Sequence, residues 1–230
     1  MQVLKEEVRS NILRVAKKEF LQNGFRKTSM KTIARQANIT APTIYCYFKN
    51  KDALFTTLVE PVTSTFESIS EKMKSEFEAL DPASLLATWN YETAKQQSLA
   101  FMGLLETYRD EFTLLFSCAS GSSLENYQDY LIDQYTEVSI RILNRMEKLF
   151  PGVKPVSRFF VHNLAGMFVN VLREAAIHNV PLEDLETYVD EWSTFRTFGW
   201  MGIIGQLVLH EGKVKQMWTF PFSRQIRKQK

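Results

Sequence analysis

The sequence predicts an all-α protein of about nine helices. Turn-forming residues are scarce, because 9 glycines and 7 prolines in 230 residues amount to about 7%, against an average of roughly 12%. Apolar residues recur at steps of three and four along most of the chain, which is the spacing of one helix face. No segment has the alternating pattern of a convincing strand. Together these observations favour helices and disfavour a β-sandwich.

The sequence of the first third of the chain predicts four helices. The first spans residues 5–22, and the second, third and fourth end at residue 36, at about residue 48 and at about residue 80. Asn23-Gly24 ends the first helix, since both residue types accept the left-handed backbone that closes helices. Ser29, Thr40 and Asn50 precede the other three and can cap them with their side-chain oxygens. Pro61 lies inside the fourth helix and must kink or break it, because proline removes a backbone donor.

Five longer helical segments follow Asp81-Pro82. They span residues 83–108, 111–118, 123–150, 155–179 and 182–210. Loops rich in serine, glycine and proline divide them, as in SGSS at 120–123 and PGVKP at 151–155. The tail, residues 213–230, combines aromatic residues with a basic end and has no clear periodicity.

Charge divides the chain into two parts. The overall net charge of +2 neither suggests nor excludes a nucleic-acid partner. Residues 1–52, however, hold eleven cations and four acids, a net charge of +7, whereas residues 53–230 carry −5. We therefore expect a basic N-terminal domain at 1–52 and an acidic helical domain at 53–230. Positive charge interleaved with hydroxyl and aromatic side chains is what contact with DNA phosphates and bases requires.

The second and third predicted helices fit a helix-turn-helix, in which the first helix crosses the second and the second lies in the major groove. Ala34, Ala37, Ile39, Ile44 and Phe48 have the size and spacing for its buried side. The residues that we expect to face DNA are Ser29, Lys31, Thr40, Ala41, Thr43, Tyr45, Tyr47 and Lys51. The alternative for Tyr45 is packing inside the protein, and the alternative for Lys31 is that it is an ordinary surface lysine.

The segment GFRKTSMKTIARQANITAPTIYCYFKNKDAL, residues 24–54, resembles the DNA-binding signature of the TetR family of bacterial transcriptional regulators. The resemblance covers about the first quarter of the chain. The one departure in the turn is Asn38, where the family usually has glycine, and asparagine also tolerates the left-handed conformation. Cys46 stands where the family has an aromatic or polar residue.

The resemblance implies a helical second domain that holds a small-molecule effector and forms a homodimer through its last two long helices. Aromatic residues and a few polar residues on an otherwise apolar helix are the candidates for an apolar effector cavity. They are Trp89, Phe101, Tyr108, Phe112, Phe116, Tyr127, Tyr135, His162, Asn163, Met167 and Asn170. Core packing is the alternative for each.

Residues 158–177 are apolar around almost the whole helix, which therefore needs cover on both sides. We expect a second copy of the chain to supply part of that cover. The candidates for the dimer interface are Phe168, Leu172, Trp192, Phe195, Gly199, Gly202 and Ile203. Internal packing of the same two helices is the alternative.

The function expected is that of a repressor that leaves a pseudo-palindromic operator when a hydrophobic or amphipathic effector binds. The alternatives are a related activator, a DNA-binding factor without a ligand and, more remotely, a helical enzyme. No catalytic or phosphate-binding fingerprint occurs, and three histidines and two distant cysteines show no metal-ligand spacing. We expect no cofactor, no metal, no membrane insertion and a cytoplasmic location, since no leader-like segment opens the sequence and its longest apolar stretch is too short to span a bilayer.

Overall fold

The computed structural model describes residues 2–87, 89–204, 207–210 and 213–216, and most of that length is helical. The α-helices are α1 (Gln2–Lys27), α2 (Met30–Gln36), α3 (Ala41–Tyr45), α4 (Lys51–Ala79), α5 (Pro82–Ala87), α6 (Tyr91–Thr107), α7 (Arg109–Thr113), α8 (Tyr127–Leu149), α9 (Arg158–Ile177) and α10 (Leu182–Ile204). A π-helical turn, Leu114–Cys118, directly follows α7. The predicted all-α class is confirmed.

The local signals at the N-terminus act as predicted. Ser29, Thr40 and Asn50 each accept a hydrogen bond from the backbone N–H three residues along, at 3.1, 3.3 and 2.7 Å. Gly24 adopts φ 71° and ψ 166°, which interrupts α1 at the predicted position. Asn38 has φ 55°, so asparagine does supply the left-handed turn between α2 and α3.

Several predicted boundaries are wrong. The helix expected over residues 83–108 is two helices, because Asn90 caps α6 by accepting a hydrogen bond from the Thr93 N–H at 2.9 Å. Helix α3 ends at Tyr45 rather than near Phe48. Helix α4, by contrast, continues through Pro61 to Ala79, close to the predicted end at about residue 80, so the proline does not break it.

The prediction that residues 182–210 form one helix and that the chain has no strand is also wrong. Helix α10 ends at Ile204, and two strands, β1 (Leu207–His210) and β2 (Lys213–Gln216), pair antiparallel. In this pair His210 lies opposite Lys213 and Leu207 lies opposite Gln216. Residues 217–230 of the predicted tail lie outside the described residues.

The chain divides into two compact units. The described residues of the first unit lie within 1–69, 104–132 and 168–180, and those of the second unit lie within 70–103, 133–167 and 181–216. Four long helices, α4, α6, α8 and α9, contribute residues to both. This grouping follows internal contacts, and the domain boundary that the charge pattern indicates at residue 52 stays a prediction.

Each unit has its own core. In the first unit, the rings of Phe20, Phe25 and Phe55 lie 5.1 to 5.9 Å apart, and Phe66 meets Phe112 edge to face at 5.8 Å. The second unit is built around the buried residues Leu85, Leu143, Met146, Phe150, Val153, Val161 and Ile204.

The left-handed backbone at Asn38 makes a direct stability prediction. The variant Asn38→Val should lower the free energy of unfolding by about 1–2 kcal/mol, because a β-branched residue is strained at positive φ. The control Asn38→Gly should change it by less than about 0.5 kcal/mol, since glycine adopts this conformation freely. Urea unfolding of the two variants measures the difference. Equal stability of both would contradict the conformation assigned to the turn.

Candidate nucleic-acid interface

Helices α2 and α3 meet through small and aliphatic side chains. Ala34 and Ala37 are 1% and 3% exposed, and Ile44 and Phe48 are buried, as expected for the inner side of a helix-turn-helix. Ile39 is half-buried, and its N–H donates to the Ala34 carbonyl at 3.0 Å across the turn. Small residues at the crossing allow the two helices to approach closely, which fixes the orientation of α3.

The face of α3 away from this core is open to solvent. Thr40, Ala41 and Tyr45 are exposed, Tyr45 by 54%, whereas Thr43 and Tyr47 are half-buried. Three of the five predicted DNA-facing residues in and beside α3 are therefore open to solvent, and the other two are partly so. Contacts with DNA for each of them stay predictions.

The N-termini of α2 and α3 repeat one arrangement of hydroxyl groups. Ser29 and Thr32 share a hydrogen bond of 2.8 Å between their side-chain oxygens, and Thr40 and Thr43 share one of 2.7 Å. Each pair has two hydroxyl protons, and one of them forms the hydrogen bond between the two oxygens. The other hydroxyl proton of each pair can therefore be donated to another acceptor. Both pairs stand at helix N-termini, where free N–H groups also favour anions. Two matched positions are thus suited to phosphate oxygens.

Lys31 and Lys51 differ in their surroundings, although the sequence predicts that both face DNA. Lys31 is exposed. The Lys51 ammonium instead donates to the carbonyls of Phe25 and Thr28 at 2.7 and 2.9 Å and lies 4.2 Å from the centre of the Phe25 ring. Burial lowers the pKa of the Lys51 amine. Lys51 therefore closes the C-terminal end of α1, and its contact with phosphate stays a prediction.

A buried carboxylate that sequence reasoning missed joins α1 to α2. Glu19 is 6% exposed, and its two oxygens accept hydrogen bonds from the side-chain amides of Gln36 and Asn23. The available signal was its position between Ala16 and Phe20 on the apolar face of α1, where an acid needs partners. This network fixes α2 relative to α1 before any DNA is bound.

Three polar contacts attach these helices to later parts of the first unit. Lys17 of α1 forms an ion pair with Glu111 of α7. The Asp52 carboxylate accepts hydrogen bonds from the N–H and the hydroxyl of Ser123, both at 2.7 Å. Arg26 lies 3.8 Å from Glu125. Sequence spacing gives no signal for such contacts, because the partners are about 70 to 100 residues apart.

The residues predicted to hold an effector do not form one cluster. Phe112 contacts Phe66 and Phe116, and Tyr127 contacts Tyr130, all within the first unit. The second unit holds a Phe101 to Tyr135 contact at 6.4 Å and a Trp89 to Trp200 contact at 5.7 Å. Tyr108 is half-buried at the start of α7. Effector binding by these residues stays a prediction.

The inference that α9 carries buried polar groups is wrong. His162, Asn163 and Asn170 are exposed, and so is Met167, by 48%. The Asn163 amide donates to the Phe159 carbonyl on the same helix at 2.7 Å. An apolar circumference predicts cover on all sides, but the chain itself covers only part of α9.

A cavity of about 380 Å³ in the first unit lies between α1, α4 and α7. It is lined by Leu13, Arg14, Lys17, Thr57, Leu58 and Glu111. None of the residues predicted to hold an effector lines this cavity.

The predicted dimer residues have unequal exposure. Phe195 is 54% exposed and Gly202 is exposed, whereas Trp192, Gly199, Ile203 and Phe168 are half-buried. Leu172 is 0% exposed, so the expectation that it faces a second copy is wrong: α9 turns this side toward the core of its own unit. The sequence reading missed Phe159 and Phe198, which are 78% and 63% exposed.

Within the residues described, no helix is long and apolar enough to cross a membrane. The same part of the chain contains no group of three or more histidine, cysteine, aspartate or glutamate side chains placed to hold a metal ion.

Comparison with known proteins places residues 12–58 in the family described as "Bacterial regulatory proteins, tetR family". The chain is 37% identical over 73 residues to an uncharacterized HTH-type transcriptional regulator, YhgD, of Bacillus subtilis, a match to 31% of this chain and 35% of YhgD. It is 36% identical over 81 residues to the HTH-type transcriptional regulator AcrR of Shigella flexneri, covering 35% and 37%. The chain thus matches about a third of the length of these curated relatives.

The fold is similar over a much longer stretch. The structure of NalD, the secondary repressor of the MexAB-OprM multidrug efflux pump in Pseudomonas aeruginosa, superposes with a TM-score of 0.59 at 21% identity. That superposition covers 85% of this chain and 96% of NalD. The likeness shows that the helical architecture extends beyond the N-terminal match.

The two lysines lead to opposite predictions. Lys51→Ala should lower the free energy of unfolding by about 1–3 kcal/mol, because the charged hydrogen bonds to two carbonyls are lost. Lys31→Ala should leave stability unchanged, lower DNA affinity equally across sequences and reduce the slope of log affinity against log salt by about 1. Thermal unfolding and DNA titrations at several salt concentrations measure both. An unchanged melting temperature for Lys51→Ala would contradict its capping role.

Proposed function

We propose that the whole chain is a transcriptional repressor that a small molecule releases from its operator. The premise is that its N-terminal region belongs to the tetR family of bacterial regulatory proteins. The observation that carries this proposal is the exposed face of α3, where hydroxyl and aromatic side chains lie on a helix held rigidly by caps and by the crossing with α2. The chemistry of that face suits base edges and phosphates.

Two groups of side chains divide the work on DNA. Ala41 and Tyr45 of α3, with Tyr47 just beyond its end, enter the major groove, where the Ala41 methyl suits the methyl group of thymine. The hydroxyl pairs that begin at Ser29 and Thr40 donate to backbone phosphates on either side. The charge of +7 on residues 1–52 supplies the sequence-independent attraction.

Selection from random duplexes with the full-length protein tests this function. The enriched sequences should be pseudo-palindromes whose half-sites are separated by about one helical turn, roughly 34–36 Å, because a symmetric dimer places its two α3 helices in successive major grooves. Tyr45→Ala should weaken binding to the enriched sequence about tenfold. Tyr130→Ala, which removes a tyrosine of similar exposure (45%) on α8, is the control and should bind normally. No enriched sequence, or equal effects of both variants, would contradict the assignment.

We propose that α9 and α10 form the homodimer interface. Phe159, Met167, Phe195 and Phe198 are 78, 48, 54 and 63% exposed. Large apolar side chains grouped on two helices usually mark an interaction surface. Gly202 is also exposed and has no side chain to keep a second helix away. A dimer would bring together the two DNA-binding regions that a pseudo-palindrome requires.

Phe198→Ser should shift the protein toward monomers and reduce operator affinity, because the loss of one large apolar contact is repeated at both sides of a symmetric interface. Leu149→Ser replaces another exposed apolar residue, 38% exposed on α8, and should remain dimeric. Analytical ultracentrifugation across a concentration series measures the dissociation constant. A tight dimer with Phe198→Ser would place the interface elsewhere.

Release from DNA requires a movement of the DNA-binding helices, for which α4 is the proposed element. It begins at Lys51 and Asp52, which contact α1 and Ser123, and it contains Pro61. Hydroxyl groups flank the proline and bond back to carbonyls four residues earlier: Thr57 to Ala53, Ser64 to Glu60 and Thr65 to Pro61, at 2.8, 2.7 and 2.6 Å. Such back-bonding bends helices. This segment is therefore the proposed hinge.

Pro61→Ala should restore a backbone donor, stiffen α4 and weaken the response of operator binding to an inducing compound. Affinity without the compound should change less than the response to it. Fluorescence anisotropy with labelled operator, measured with and without the compound, provides both values. Unchanged affinity together with an unchanged response would remove Pro61 from the mechanism.

The rival functions predict different expression of a reporter gene placed behind the same promoter. A repressor lowers expression of a reporter until its effector is added, an activator raises it, and a ligand-independent factor shows no response to small molecules. We favour the repressor, acting in the cytoplasm where its operator DNA is. Genes adjacent to this one supply the first promoters to examine.

A further inference from the structure

The inner side of α10 in the second unit contains polar groups that the described part of the chain does not satisfy. Ser193 is 0% exposed and Thr197 is 8% exposed, and neither hydroxyl has a hydrogen-bond partner among the described residues. The Trp192 indole N–H is also buried without a partner there. Buried polar groups are almost always satisfied, because an unmade hydrogen bond costs about 1–3 kcal/mol.

Serine in a helix normally avoids this cost by donating to the carbonyl four residues earlier. Ser98 of α6 does so in the same unit: it is 3% exposed, and its hydroxyl donates to the Ala94 carbonyl at 3.0 Å. Ser193 is more deeply buried and makes no such bond. The difference shows that the hydroxyls of Ser193 and Thr197 are not satisfied by the helix that carries them, whereas Thr187 of the same helix donates to the Glu183 carbonyl at 3.2 Å.

A guanidinium lies on the same side of the helix. Arg196 follows Ser193 by three residues and precedes Thr197 by one, and its Nη2 donates to the Gln97 Oε1 of α6 at 2.9 Å. This is a neutral partner, and no carboxylate of the described residues lies within ion-pair distance of Arg196. Burial lowers the pKa of the guanidinium. Asp190, an acid six residues earlier on α10, is already engaged by Lys95 and Tyr91 at 2.7 and 2.9 Å.

We propose that Arg196, with the hydroxyls of Ser193 and Thr197, binds the anionic head of an amphipathic effector, either a carboxylate or a phosphate. A half-buried cation with no counter-ion and two buried hydroxyl donors with no acceptor among the described residues are together complementary to such a head. Buried apolar side chains continue on both helices, with Val189 on α10 and Phe101 on α6, and suit an aliphatic or aromatic tail. This assignment rests on the proposed effector-released repressor and names the chemical class of its effector.

Titration of the full-length protein with decanoate, decyl phosphate and 1-decanol tests the assignment, because the three share a tail and differ in head group. Isothermal titration calorimetry should show that at least one anion binds at least tenfold more tightly than decanol. The decanoate and decyl phosphate arms identify which head is preferred. Equal affinity for all three compounds, or binding of none, would overturn the proposal.

Two variants separate a binding role of Arg196 from a structural one. Arg196→Met should raise the melting temperature of the unliganded protein, since it removes a half-buried charge that has no counter-ion among the described residues, and should abolish the preference for anions. Arg145→Met is the matched control in the same unit. Arg145 donates to the carbonyls of Phe77 and Leu80, so its loss should lower the melting temperature and leave the anion preference intact. A lower melting temperature for Arg196→Met with the anion preference retained would overturn the assignment.

Operator binding, measured in the same samples, keeps this proposal distinct from the broader one. If Arg196→Met binds operator like the wild type and an anion no longer releases it, both proposals stand. If wild-type protein binds operator but no anion binds, the effector class is wrong while the DNA-binding function remains. If the protein binds no operator, the proposed function itself fails whatever the calorimetry shows.

Discussion

The DNA-binding helices depend on a core that they share with segments far along the chain. Phe20, Phe25 and Phe55 pack together at the ends of α1 and α4, and farther along α4 Phe66 meets Phe112 of α7. Residues 1–69 therefore form one compact unit with residues 104–132 and 168–180. Small domains of about 50 residues bury little apolar surface alone, so this shared core is a main source of their stability.

The polar contacts of the first unit gain importance from this arrangement. The Lys17 to Glu111 ion pair and the Asp52 to Ser123 hydrogen bonds join the DNA-binding helices to α7 and to the loop that precedes α8. A ligand that changes the positions of residues 104–132 must change or break these contacts. In our account the orientation of α3 is therefore tied to structure outside the helix-turn-helix, which is the physical requirement for control by a small molecule.

Local sequence signals predicted the N-terminal third of the fold well. Ser29, Thr40 and Asn50 are caps because a short side-chain oxygen can reach a free N–H within one turn, and Asn38 accepts a positive φ for an equally local reason. Asn90 is a cap of the same kind, but it lies within an apolar pattern that continues on both sides, so the break between α5 and α6 was missed.

Tertiary effects were not predictable in the same way. The roles of Glu19 and Lys51 depend on partners brought close by folding. The charge pattern only counts both residues, and the sequence predicted that Lys51 faces DNA. The chain covers only one side of α9 and α10, which leaves Phe159 and Phe198 exposed and Leu172 buried. Periodicity cannot show which side is covered when a helix is apolar around its whole circumference. Arg196 gave no signal, because an arginine in an amphipathic helix is ordinarily solvated.

Native-state hydrogen exchange on the full-length protein tests the shared core most directly. Our account predicts that amides in the middle of α1, residues 12–20, open with the same free energy as those of the π-helical turn, residues 114–118, and that Glu111→Gln lowers both values equally. The opposite result would be opening of α1 at a distinctly lower free energy, insensitive to Glu111→Gln. That outcome would mean that the DNA-binding helices unfold on their own and would contradict the shared core.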